Sequence, residues 1–518
     1  MQDDQQFRPE ATPVFGPATV GRNDRRYEEL TWGFNRRWRS RPEYVRLAGK
    51  TEHVVRAVQE AVDTGKRLSV RSGGHSYADL AYHKDVDIIV DLSMMNDISY
   101  DPRRKAFAIQ SGAKLGQIYV QLFRGWDVTL PGGVCPDVGI GGHAQGGGHG
   151  LLSRQFGNVC DLIEAVEMVV VDRHRRARVV VASREDSGDL RDLWWSVSGA
   201  GGGNFGVVTK FWFRKIDAEG DNPSAQLPQP PREVLISTAF ASWDQMDERT
   251  FTRLVRNQCQ WYVENSEPGS SAEALCGLLF VQHVSSGGIG MLTQVDADVP
   301  HAEKVLDDYL TAVTAHTGVT VLPTRRLPWL ASTETIDTSN PTVMTNATLR
   351  GAVKEAYFKQ ALTEEQCATI YRHMTRKDYA NPSPGTSLLQ LGAMAGGRMN
   401  ELARDARALP HRGSAYVGLW STFWAEAAED EKHLAWTRDI FSETFASTGG
   451  YPVPGELYEG SNINAPDPDI LDPRFNKSGV PWHAFYWGDN YPRLQRAKRR
   501  WDPHNVFHHR MSVRADEA

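Results

Sequence analysis

Nine of the nineteen residues from 132 to 150 are glycine. Glycine within a regular element costs about 0.5–1 kcal/mol relative to alanine, so this density has a use other than local regularity. A backbone stripped of side chains can pass flush against a planar ring system; the plain alternative is that these glycines serve tight turns and close packing. Two shorter stretches share the character: Ser72-Gly73-Gly74-His75-Ser76, and Ser198-Gly199-Ala200-Gly201-Gly202-Gly203-Asn204-Phe205-Gly206. Within these frames stand two nucleophilic side chains, His75 and Cys135, each able to sit against a flat ligand or bond to it. Three such elements in one region, with a framed His and Cys, favour a ligand over packing alone.

The surrounding pattern is mixed α+β. Between residues 51 and 213 helices and strands alternate: a helix over 52–64 with Val54, Val55, Val58 and Val62 on one face, a strand over 68–71 feeding the first glycine turn, strands over 86–92 and 106–109, and a helix over 115–123. Residues 162–171 and 177–182 read as paired strands around an exposed turn at 172–176. A proline-rich stretch, 218–231, suits a linker. Beyond it, strands (234–239, 275–283) alternate with amphipathic helices (247–262, 301–315, 363–374), which predicts an antiparallel sheet with helices on one face. The predicted domains are 40–216, 232–470 and a C-terminal segment, 471–518, that returns to the first.

At 518 residues the chain exceeds one core. A net charge of −6 gives no reason to expect nucleic acid or an anionic membrane as partner. No run of eighteen apolar residues is present, and the N-terminal seven residues lack the basic and apolar regions of a signal peptide, so a cytoplasmic protein is expected. The five cysteines show no metal-ligand spacing, and no metal is expected.

Gly201, Gly203 and Gly206 satisfy G-x-G-x-x-G by letter. A dinucleotide site of that kind needs a strand before the motif and a helix opening within it. Here the preceding residues 190–196 read as helix and the following 207–213 as strand, so the context is wrong. An anion-binding nest of converging N–H groups is the alternative for this loop and for 72–76.

The motifs together resemble the berberine-bridge-enzyme-like flavoproteins, a branch of the vanillyl-alcohol-oxidase fold. The matching runs are Arg71-Ser72-Gly73-Gly74-His75-Ser76, Gly133-Val134-Cys135-Pro136-Asp137-Val138-Gly139-Ile140-Gly141-Gly142-His143, Gly146-Gly147-Gly148-His149-Gly150 and Gly202-Gly203-Asn204-Phe205-Gly206-Val207-Val208-Thr209. The tail adds Tyr486-Trp487-Gly488-Asp489-Asn490 and Asp502-Pro503-His504-Asn505-Val506-Phe507. The resemblance implies a two-subdomain FAD-binding fold of the PCMH type with a separate substrate domain. It also implies FAD attached twice, through His75 to the 8α-methyl and Cys135 to C6. Arg71 to Ser76, Val138, Gly141, Gly142, His143, Gly146, Gly148, Gly203 to Val208, Tyr486 and Asn490 are the implied cofactor contacts. Val138 matches a small gate residue common in members that react well with O2, and His143 a histidine that supports the reduced flavin's charge.

The family's usual proton acceptors are altered. Relatives carry Tyr-x-Asn-Tyr-Pro-Asp where this chain reads Asn462-Ile463-Asn464-Ala465-Pro466-Asp467. The plant members' glutamate aligns with Leu419, and no carboxylate is expected nearby. His149, standing where relatives have tyrosine, and Tyr357 are the two candidate bases; local packing is the alternative for each. His504, His508 and His509 read as structural, and Trp194-Trp195 as core. The expected activity is an oxidase acting on an alcohol, or comparable C–H, of a sugar-bearing or polycyclic metabolite, with O2 reduced to H2O2 by a monomer or homodimer. A dehydrogenase with another acceptor, and a flavin-binding protein with a binding or cyclase role, remain alternatives.

Overall fold

The computed structural model describes residues 17–339 and 346–515; the N-terminal seven residues lie outside them. The first of three sheets contains β1 (Ala18–Gly21), β2 (Tyr44–Leu47), β3 (Leu68–Arg71) and β4 (Ile88–Asp91) in the order β1-β2-β4-β3. β2 and β3 both run parallel to β4, so the chain between them must cross over, and helix α1 (Thr51–Thr64) does this. Val54, Ala57, Val58 and Ala61 fall on one face of α1 and are buried, as the three-four spacing requires. Gly65 closes the helix in the left-handed conformation, at φ 66°.

The second sheet is antiparallel: β5 (Ile98–Asp101), β6 (Ala106–Gln110), β7 (Ile163–Val171), β8 (Ala177–Ser183) and β9 (Val207–Phe213), ordered β5-β6-β9-β7-β8. Helix α1 packs between the two sheets, its Val58 sharing a core with Ile88 and Val90 on one side and Val169 and Val207 on the other. Helix α2 (Leu115–Trp126) and a six-residue helix inside the glycine stretch, α3 (Ile140–Gln145), follow β6. Helix α4 (Gly188–Val197) precedes the last glycine loop and buries Trp194 and Trp195.

The third sheet is built from β10 (Glu233–Ala241), β11 (Leu275–Gln282), β12 (Ile289–Asp296), β13 (Thr320–Val321), β14 (Arg325–Pro328), β15 (Arg350–Phe358), β16 (Thr386–Gly392) and β17 (Tyr416–Trp424). Every pairing in it is antiparallel, along β13-β10-β12-β11-β16-β17-β15. Helices α5 (Glu248–Glu264), α6 (Ala302–Thr314), α7 (Glu364–Thr375) and α8 (Asp430–Thr444) cover it. Alternation along β15 decides what reaches the site. Lys354 and Phe358 meet Phe441 and Phe445 of the helical layer, while Glu355, one residue from Lys354, lines a cavity on the opposite face.

Two terminal segments tie the layers together. Upstream of residue 40, β1 pairs with β2, and the Asn35 amide both donates to the Gly351 carbonyl and accepts from the Gly351 N–H at 2.9 Å, binding this segment to β15. Downstream of α9 (Tyr491–Trp501), Phe507 enters the core around α1, and buried Lys498 donates to the carbonyls of Asn204 and Phe507. Among the described residues no helix is long and apolar enough to cross a membrane.

Candidate active site

Two glycine frames interlock backbone to backbone. A Cβ on Gly73 would lie 2.3 Å from the Gly139 nitrogen, and one on Gly139 would lie 2.3 Å from the Gly73 nitrogen and 2.1 Å from Ser72 Oγ. Only glycine at both positions permits this approach. The same carbonyl, that of Ser111, accepts from Ser72 Oγ at 2.6 Å and from the Gly141 N–H at 3.1 Å. The turn after β3 and the start of α3 are therefore fixed to each other, and His75 and Cys135 line one cavity of about 370 Å³. Arg71 to Ser76, Val138, Gly141, Gly142 and His143 share this wall. Gly201 to Gly203 and Gly206 form the next, in a loop that leads into strand β9 rather than a helix, and Val207 and Val208 at the start of that strand complete it.

Burial sets the chemistry of the imidazoles. His75 stacks on Phe34 with ring centres 4.6 Å apart, and desolvation lowers its pKa to about 4, leaving it neutral and nucleophilic near pH 7. His143 is lowered to about 3, by burial and then by the neighbouring His149, and its Nε2 accepts the Gly133 N–H at 3.2 Å. His149 is lowered to about 4 by burial, and among the described residues its buried Nδ1 has no hydrogen-bond partner.

The sheet side of the cavity differs from expectation. A carboxylate does stand beside Leu419: Glu355 on β15 pairs with Leu419 on β17, which pairs with Gln390 on β16, and all three line the cavity abreast. Glu355 accepts the Asn462 N–H at 2.9 Å, and desolvation raises its pKa to about 8. Adjacent Lys354 points to the other face and is held by Asp467 and Asp469. The signal was present in the sequence as two adjacent charges in an apolar strand, which alternation must send to opposite faces.

Other expected residues are distributed unevenly. Tyr357 packs behind the wall, stacked on His411 at 4.4 Å, with its hydroxyl 3.4 Å from the Asn462 amide; it does not line the cavity. Asn204 and Phe205 are buried outside it, Asn204 clamping its loop by donating to the carbonyls of Ala200 and Gly201. Gly146 meets Asn464, and Gly148 meets His143, from behind. The Tyr486 hydroxyl accepts the Asp467 N–H, and the Asn490 amide donates to the carbonyls of Arg404 and Arg407, both outside the cavity. The tail is not merely structural: Phe507, His508 and His509 line the cavity, and His509 Nε2 lies 3.2 Å from the Gly202 carbonyl. His504 lies apart, against the Arg173 carbonyl. The altered run 462–467 contributes Ile463, Asn464, Ala465 and Pro466, and the Asn464 amide donates to the His143 carbonyl at 3.0 Å.

A cavity walled by glycine backbone and lined by a neutral imidazole, a thiol and a buried carboxyl, in a chain that matches an FAD binding family, marks an FAD-linked oxidoreductase. Residues 42–173 match the FAD binding domain family, and residues 461–514 match the family described as berberine and berberine like. The chain is 41% identical over 499 residues to aclacinomycin-N/aclacinomycin-A oxidase of Streptomyces galilaeus, covering 96% of this chain and 89% of the relative. It is similar to the crystal structure of a glycopeptide hexose oxidase complexed with teicoplanin (TM-score 0.92, 41% identity, 97% and 100% covered). It is also similar to CrmK, a flavoenzyme of caerulomycin biosynthesis (TM-score 0.93, 44% identity, 97% and 100% covered). The chain belongs to the berberine-bridge-enzyme-like family of FAD-linked oxidases, within the vanillyl-alcohol-oxidase superfamily.

Proposed function

We propose that this protein oxidises an alcohol, or a comparable C–H, on a sugar-bearing or polycyclic secondary metabolite, with O2 as the final acceptor and H2O2 as product. The observation that supports the reading is the Gly73–Gly139 interlock, beside which His75 and Cys135 line the same cavity. Both side chains fit a doubly bonded FAD: His75 is held neutral for bonding to the 8α-methyl, and Cys135 is framed for C6. When bound there, FAD supplies a two-electron hydride acceptor at N5.

The chain's own groups do the rest. His143 and His149, kept neutral by burial, add no fixed positive charge, and each can become a proton-bearing partner if negative charge develops beside it. Gly141, Gly142 and Gly201 to Gly203 bring backbone close enough to exclude water from a ring system. The Asn204, Phe205, Gly146, Gly148, Tyr486 and Asn490 positions support these walls from behind. A polycyclic or glycosylated substrate suits the site because two anchors hold the cofactor while the face lined by Gln390, Met394 and Leu419 stays available. The relatives' named activities, on an aclacinomycin and on a glycopeptide hexose, support the substrate class.

The test is anaerobic mixing of the holoenzyme with aclacinomycin N and, separately, with D-glucose, followed by air. The reading expects loss of flavin absorbance with at least one of them, then its return with one H2O2 formed per turnover. Bleaching that air fails to reverse would instead mark a dehydrogenase, and no bleaching by either compound would overturn the reading.

A further inference from the structure

We propose that Glu355 is the general base of this oxidation, its carboxylate taking the hydroxyl proton of the substrate as the carbinol hydride leaves. The inference rests on the alcohol-oxidation reading above and names the proton acceptor that the altered 462–467 run no longer supplies.

Glu355 is buried, lines the cavity, and belongs to the row Glu355–Leu419–Gln390 that forms its sheet wall. Among the described residues one hydrogen bond reaches its carboxylate, from the Asn462 N–H to Oε2, and no ion pair is formed. One oxygen is thus fixed by backbone, and the carboxylate keeps acceptor capacity for a ligand.

Electrostatics tie it to the Cys135 side of the cavity. Burial first, then the charges of Cys135 and Glu355, push the Tyr77 phenol upward, so the thiol and the carboxyl both lie within electrostatic reach of one wall residue. In an isoalloxazine, C6 and N5 are neighbouring peri positions. A base serving the carbon that gives its hydride to N5 therefore belongs on the Cys135 side.

The competing candidates fit less well. Tyr357 does not line the cavity, and its buried phenol is pushed well above its ordinary value by burial and then by Glu355. His149 is held near pKa 4 by burial, too weak a base to take an alcohol proton efficiently near neutrality. The phenols of Tyr77, Tyr357 and Tyr486 feel the charge of Glu355, each raised by burial first, and none of the three supplies positive charge that would lower the carboxyl.

The step balances. The carbinol C–H bond breaks with its electron pair, the O–H proton passes to Glu355, and the C–O bond becomes C=O. The hydride's two electrons pass to FAD and then, with its proton and the one on Glu355, to O2 as H2O2.

The experiment compares holoenzyme wild type, Glu355→Gln and Glu355→Asp by anaerobic flavin bleaching with aclacinomycin N and D-glucose across pH. The wild-type limiting rate should rise about tenfold per pH unit and level off near pH 8, where Glu355 becomes ionised. Glu355→Gln should be about 10²–10⁴-fold slower, without the rising limb and with half-saturating substrate little changed. Glu355→Asp should recover part of the rate and the limb. Infrared titration without substrate should show a carboxyl in the wild type with a midpoint near 8 that Glu355→Gln removes. A Glu355→Gln enzyme that bleaches at the wild-type rate with the same limb overturns the proposal while leaving oxidation intact. So does a wild type with no carboxyl titrating near pH 8, even if the Gln variant fails to fold. A wild type bleached by neither probe overturns oxidation itself, and the base with it.

Discussion

Gly139→Ala should separate His75 from Cys135. The added methyl would lie 2.1 Å from Ser72 Oγ, 2.3 Å from the Gly73 nitrogen and 2.9 Å from its Cα, against an ordinary contact of 3.4–4 Å. The hydroxyl can rotate away only by giving up its 2.6 Å bond to the Ser111 carbonyl, a loss of about 1 kcal/mol. The Gly73 nitrogen is backbone and moves only if its turn moves, and overpacking of this kind costs about 1–3 kcal/mol more. The expected cost is therefore about 2–4 kcal/mol, and relief of the clash pushes the His75 turn away from Cys135. Gly125→Ala is the control: it lies in α2, nothing stands within 4 Å of the new methyl, and it should gain up to about 1 kcal/mol. The assay is the thermal midpoint of each holoenzyme together with the fraction of flavin that stays with acid-precipitated protein. Gly139→Ala should lower both and Gly125→Ala neither. A Gly139→Ala protein with wild-type midpoint and full flavin retention would refute the interlock as the reason for these glycines.

Two further outcomes follow from buried charge. Lys354→Met leaves Asp467 and Asp469 without their buried cation and should cost about 3–5 kcal/mol, read as a lowered thermal midpoint that an added Asp467→Asn partly restores; an unchanged midpoint would dismiss the triad. His149, His411 and His509 are each lowered by burial from 6.5 to about 4, so the unfolded chain binds protons that the native one refuses. Their stabilisation is full above pH 6.5 and is lost as pH falls toward 4, by up to about 3 kcal/mol per group. His411→Phe, which keeps the stack on Tyr357, should flatten the stability profile over that window.

Much of the fold is legible in periodicity. The four-residue spacing of Val54, Val58 and Val62 gives α1, and the paired runs around 172–176 give the β7–β8 hairpin, because local pattern and burial agree there. The wrong context of Gly201-x-Gly203-x-x-Gly206 is likewise readable, since the strand that follows it is β-rich. What one sequence conceals is neighbourhood across strands. Leu419 looks remote from any carboxylate until register sets Glu355 opposite it, sixty-four positions earlier (419 − 355 = 64). His508 and His509 look structural because nothing local shows that Phe507 anchors the tail beside the first sheet. Phe34, which stacks on His75, and the Asn35 latch lie upstream of the boundary set by pattern, in a segment whose role depends wholly on partners elsewhere.

The central claim is that His75 and Cys135 hold one FAD by two bonds. The holoenzyme is denatured in acid, pelleted and digested, and the flavin-bearing peptides are sequenced. The account predicts a yellow pellet and a single flavin joining the peptide of His75 to that of Cys135. His75→Ala and Cys135→Ala should each retain flavin through the remaining bond, and only the double variant should release it. Yellow colour in the wild-type supernatant would contradict the account.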